Sequence, residues 1–236
     1  MIQHREEFLE TIGMSLGRAV NTTDKPQRNW KYAPQKKGYQ GLSQDDLLEI
    51  LEKQCQSIHT DVVKTTVEEL PQALEQVVEN YGGGPISMWQ DPRFNQYKLK
   101  SLYEEIWPRK GYEISQWKEE LGEKNIENAE KANIGLTFSE YALAESGTVV
   151  LFSDKEQGKS VGLLPKSFIA IVKKSTIVPR MTQVAEKLNK RVESGETLPS
   201  AIDFVSGPSN SADIEMKLVV GVHGPIHATY IILIDE

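Results

Sequence analysis

Residues 43–89, SQDDLLEILEKQCQSIHTDVVKTTVEELPQALEQVVENYGGGPISMW, decide the fold class. Ser43 is followed by Asp46 three residues on, and then by Leu47, Leu48, Ile50 and Leu51, an N-cap with its acid ahead of apolar residues at helical spacing. Residues 59–65, with Val62 and Val63 inside, read as a short strand. Residues 66–69 repeat the cap pattern in front of Leu70, Leu74, Val77 and Val78, and Gly82-Gly83-Gly84-Pro85 stops that helix. A second strand follows at 86–89. Outward from this stretch, 112–117 and 134–138 read as strands, with helical material around 92–106 and 123–132. Alternating strand and helix implies parallel strands, right-handed crossovers and helices covering the sheet. Binding sites are then expected at the strand carboxyl ends.

After residue 138 the texture changes. Residues 148–152, 168–172, 202–205, 218–222 and 229–234 read as strands. The one long helix here is 179–193, with Pro179 in its first turn, a stripe of Met181, Val184, Ala185, Leu188 and Val192, and Gly195 closing it. On the other side, Phe8, Leu9, Ile12 and Leu16 recur at helical spacing, so 1–18 reads as an amphipathic helix whose stripe needs a cover. Residues 19–41 are polar, hold Pro26 and Pro34 and lack periodicity. They read as a linker or arm, in which Trp30 and Tyr32 either pin the segment to a surface or sit partly buried in a loop. The expected organisation is an N-terminal helix and arm over 1–41 and one α/β domain over 42–236.

With 236 residues, 39% hydrophobic and 26% charged, the chain can bury a core and is not disordered. Its apolar runs are too short for a transmembrane helix, which needs about 20 residues. The opening residues mix acid and base, unlike a signal peptide, so a cytoplasmic location is expected. A net charge of −7 argues against nucleic acid as a partner. Cys55 is the single cysteine, which excludes a four-thiolate iron–sulfur cluster, and His4, His59, His223 and His227 are scattered, so no metal site is expected. Neither a phosphate-binding glycine-lysine-serine loop nor G-x-G-x-x-G occurs.

Three clusters carry possible chemistry. Glu145-Ser146-Gly147-Thr148 precedes an apolar strand; in a tight turn Glu145 is either a nucleophile or general base, or a structural acceptor of backbone N–H bonds. Residues 206–215, with Ser206, Gly207, Ser209, Ser211 and Asp213, read as a strand end opening a short helix. That helix start is either an anion site or a plain serine cap. Gly221-Val222-His223-Gly224-Pro225 puts a histidine at a strand end, facing a pocket or satisfied structurally. Lys166, Lys173, Lys174 and Arg180 attract an acidic ligand or form a solvated face.

Gly135 to Ser139, Leu143-Ala144-Glu145-Ser146-Gly147-Thr148, Leu164-Pro165, Ile169 to Val172, Ser175 to Pro179, Ser206-Gly207-Pro208-Ser209 with Ala212 to Glu215, and Gly221 to Pro225 together resemble the LUD-domain family. The helix-linker-helix opening and Tyr81-Gly82-Gly83-Gly84-Pro85 extend the likeness over nearly the whole chain. The resemblance implies a NagB/RpiA/CoA-transferase-like three-layer sandwich with a mostly parallel sheet and an N-terminal helical arm. It further implies a part in oxidising L-lactate to pyruvate beside two iron–sulfur proteins of lactate utilisation, so that lactate serves as carbon source. This chain is then expected to bind no cofactor, the iron–sulfur clusters lying in the partners. The site expected from these readings has Glu145 as catalytic carboxylate. Ser146, Gly147, Thr148, Lys174, Arg180, Ser206, Gly207, Ser209, Asp213 and His223 would surround a small carboxylate, lactate or pyruvate. Two other classes stay open: a free-standing isomerase or acyl- or CoA-transferase using Glu145, and a structural or regulatory subunit.

Overall fold

The computed structural model describes residues 4–18 and 31–236, except Glu215 and the side chains of 213–214. The chain divides into two compact units, Met1–Pro34 and Gln35–Glu236. In the first, Arg5–Ser15 is helical and ends in a turn where Gly17 takes φ +63°. Phe8, Ile12 and Leu16 of the expected stripe are exposed. Trp30 and most of the arm lie outside the described residues; Tyr32 is exposed.

The second unit is built on a parallel sheet of β1 (Thr60–Thr65), β2 (Ile86–Met88), β3 (Ile114–Gln116), β4 (Ile134–Phe138), β7 (Ser167–Lys173) and β12 (His227–Leu233), in the order β1-β12-β7-β4-β2-β3. A second sheet, ordered β8-β5-β6-β9, contains β5 (Tyr141–Leu143), β6 (Thr148–Ser153), β8 (Ile177–Val178) and β9 (Ala201–Ser206). β10 (Asn210–Ile214) and β11 (Lys217–Val220) form a separate hairpin.

Side-chain alternation explains how the layers stack. In β7, Ile169 and Ile171 face one core while Phe168, Ala170 and Val172 face another. In β12, Ile231 and Leu233 join the first core and Ala228, Tyr230 and Ile232 the second. Such doubly buried strands read as continuous apolar runs, as these do. The first core is closed by helix Leu70–Asn80 and the helical segments between Arg93 and Arg109. The second is closed by helix Gln44–Ser57 and the inner face of the second sheet. Helix Met181–Glu193 covers that sheet's outer face through Val184 and Leu188.

Helix Gln44–Ser57 begins as its sequence dictates: Asp46 N–H donates to Ser43 Oγ at 3.2 Å, and Ser43 N–H donates to the Asp46 carboxylate at 2.8 Å. The Ser43 hydroxyl, which donates to the same carboxylate at 2.7 Å, and then the Ser43 N–H hold the Asp46 carboxyl below its ordinary range. Two expectations need correction. Residues 210–214 are a strand paired with β11, not the start of a helix. Pro179 lies outside the long helix, whose first residue is Met181, because the Pro179 carbonyl accepts the Glu145 N–H at 3.1 Å and continues the β5–β8 pairing.

Candidate functional site

The turn between β5 and β6 meets the end of β9 at one point. Thr148, first in β6, is register partner to Ser206, last in β9. Their hydroxyls are 2.7 Å apart, and Ser146 Oγ lies 2.7 Å from Thr148 Oγ1 on the other side. Three hydroxyls thus form a chain from half-buried Ser146 through buried Thr148 to exposed Ser206. Two contacts use two of the three hydroxyl protons, leaving one proton and several lone pairs for a ligand or solvent.

Glycines flank this chain because both turns need left-handed backbone against close neighbours. Gly147 has φ +63° and Gly207 φ +68°. A Cβ on Gly207 would stand 2.7 Å from Thr60 Oγ1 and 2.8 Å from the Ile58 carbonyl oxygen; on Gly147 it would stand 2.7 Å from Ile58 Cδ1. Tyr230, from β12, ties the turns together. Its hydroxyl accepts the Gly207 N–H at 3.0 Å and lies 3.1 Å from the Gly147 carbonyl and 3.2 Å from that of Val205. Burial raises the Tyr230 pKa above its ordinary value, so the phenol keeps its proton and can donate.

The site's position corrects the expectation of a pocket at strand carboxyl ends. Gly207 packs on Thr60, the first residue of β1, so the hydroxyl chain lies at the sheet's amino end. Lys174 follows β7 at the carboxyl end, where its ammonium pairs with Asp45 at 2.5 Å, beside the start of helix Gln44–Ser57. The opposite end of that helix reaches Ile58, against Gly207. Fourteen residues of helix span about 21 Å, so Lys174 and the hydroxyl chain are not brought together.

Glu145 and Arg180 are brought together. Ala144 and Glu145 donate backbone N–H bonds to Val178 and Pro179, which sets the next residue, Arg180, beside the turn. The guanidinium holds the Glu145 carboxylate in an ion pair and lies 5.5 Å from the Tyr39 ring centroid. Hydrogen bonding to Glu145 raises the Arg180 pKa above its ordinary value, so the cation is permanent at any physiological pH.

The remaining candidates sit elsewhere or are otherwise engaged. Ser209 donates its N–H to the Pro225 carbonyl at 2.8 Å and accepts from Gly221 N–H at 2.9 Å. The backbone amides expected to greet an anion at a helix start are therefore not arranged for it. His223 is exposed in the loop that these bonds fasten. The side chain of Asp213 lies outside the described residues. His227 stacks on Tyr81 at 5.6 Å. No group of three His, Cys, Asp or Glu placed to hold a metal exists among the described residues. Two contributors were missed in the sequence. Tyr230 carries a signal, a phenol inside a doubly buried apolar strand that must find a partner; Tyr39 carries none.

This arrangement, a parallel α/β sheet backed by a second sheet, is that of the LUD-domain class. The family model described as the LUD domain matches residues 48–233, and the chain belongs to that family. Curated relatives carry a more particular name. "Lactate utilization protein C" of Geobacillus sp. (strain WCH70) is 52% identical over 235 residues, covering 100% of this chain and 98% of the relative. The protein of that name from Bacillus subtilis (strain 168) is 50% identical over the same shares. A solved structure of a duf162 family protein from Deinococcus radiodurans is similar in fold, with TM-score 0.56 and 20% identity over 81% of this chain and 99% of that one.

Proposed function

We propose that this chain acts in lactate utilisation, as a component that supports oxidation of L-lactate to pyruvate without carrying the electrons itself. The observation that carries the reading is the full-length match, at about half identity, to relatives named for lactate utilisation. Oxidising lactate to pyruvate releases two electrons and two protons, which need an acceptor. Cys55, the single cysteine, is buried and cannot supply the thiolates of a cluster. The acceptors in this reading are iron–sulfur centres of two partner proteins, and the assembly works in the cytoplasm. No helix among the described residues is long and apolar enough to cross a membrane.

Two measurements test this. Deleting the gene should abolish growth on L-lactate while leaving growth on glucose intact. Lactate-dependent reduction of an artificial acceptor should require the chain together with both iron–sulfur proteins. Full activity from the partners alone would overturn the proposal.

A further inference from the structure

Arg180 uses only part of its donor set. A guanidinium offers five N–H donors in a flat fork. One terminal nitrogen holds Glu145, whereas Nε is buried and has no acceptor among the described residues. Buried donors without acceptors are rare in native proteins, because desolvation is then uncompensated. The pair itself stays reachable: the Arg180 and Glu145 side chains are 30% and 38% exposed. The Tyr39 ring centroid lies 5.5 Å from the guanidinium, within cation–π range. Glu145 also leads directly into Ser146, the first hydroxyl of the Ser146–Thr148–Ser206 chain. Cation and internal carboxylate therefore meet at the turn that also carries Ser146.

We infer that Arg180 recognises the carboxylate of a small α-hydroxy or α-keto acid, and that Glu145 is an internal competitor that holds the guanidinium until the ligand displaces it. The class of acid rests on the lactate-utilisation reading; the carboxylate preference rests on the geometry. Exchanging one carboxylate for another keeps the guanidinium paired, and the released Glu145 side chain, already 38% exposed, is hydrated by solvent. A planar fork also matches a carboxylate with two parallel bonds, better than the single bond Glu145 makes.

Isothermal titration of the full-length chain with L-lactate, with pyruvate and with methyl L-lactate tests this. The ester keeps the α-hydroxyl and lacks the charge. At least one acid should bind, and the ester should not. Arg180→Lys should weaken acid binding by about tenfold or more, because an ammonium lacks the fork. Glu145→Gln should strengthen it severalfold, because a neutral amide competes less well for the guanidinium. That gain cannot arise from misfolding, which only weakens binding. The inference falls if neither acid binds wild type, if the ester binds as well as the acid, if Arg180→Lys binds unchanged, or if Glu145→Gln binds no better than wild type. Restored growth on lactate by a chain that binds neither acid would sink this inference alone. Acid binding by a chain dispensable for lactate growth would sink the functional reading and leave the Arg180 site standing.

Discussion

Tyr230→Phe removes one oxygen and almost nothing else. The ring stays in the second core with Ala228 and Ile232, so the substitution leaves little cavity. What is lost is the acceptor of the Gly207 N–H, at 3.0 Å, and the donor to the Gly147 or Val205 carbonyl. Both groups are buried, and each buried polar group left without a partner costs about 1–3 kcal/mol. A loss of roughly 2–6 kcal/mol is expected, which for a domain of this size lowers Tm by roughly 4–24 °C. Urea and thermal unfolding of wild type and variant measure it. The variant should differ in pH dependence as well. Burial raises the folded pKa of Tyr230 above the ordinary 10.0, so its contribution is complete below pH 10 and fades as pH rises beyond it. Wild-type stability should therefore decline above pH 10 more steeply than that of the variant. A stability change under about 0.5 kcal/mol, the usual range of an inert surface change, would refute the idea that this hydroxyl joins the two turns.

The two glycine turns should respond unequally to a methyl group. Gly207→Ala drives a Cβ against the Ile58 carbonyl, which is backbone, whereas Gly147→Ala meets the flexible end of the Ile58 side chain. Both add left-handed strain of about 1–3 kcal/mol, so urea unfolding should place Gly207→Ala as the more destabilised; the reverse order would contradict the geometry. Cys55 is buried, and desolvation pushes its pKa up to about 12. Iodoacetamide at pH 8 should then label the folded protein only on the timescale of unfolding, and rapid labelling would show that helix Gln44–Ser57 opens locally.

Much of the frame was legible because its signals are local. Ser43 and Asp46 announce a helix start within four residues, and the runs Phe168–Val172 and Tyr230–Ile232 announce strands buried on both faces. The misreadings arise where a distant partner decides. Ser209-Asn210-Ser211 ahead of Ala212 resembles a helix start, yet Asn210 and Ser211 pair with Val220 and Val219, and the β-branched partner strand prevails. Pro179 would suit a helical first turn, yet its carbonyl is already committed to Glu145, 34 positions earlier in the chain.

The candidate site was legible as two clusters and illegible as one object. Nothing in Glu145-Ser146-Gly147-Thr148 points to Ser206; the join is the β6–β9 register, which sets Thr148 against it. Nor does either cluster point to the sheet's amino end, which follows from Gly207 packing on Thr60. Tyr230 converts those separate facts into one rigid arrangement. It belongs to β12, held between β1 and β7, and its hydroxyl reaches both glycine turns. The hydroxyl chain therefore hangs on a strand of the central sheet, whereas Arg180 hangs on the pairing of β5 with β8. Both supports converge on residues 145–148, so a displacement of Glu145 from Arg180 can leave Thr148 and Ser206 in place. A site that keeps its hydroxyls fixed while one carboxylate exchanges for another is suited to admitting a small acid without reorganising the fold.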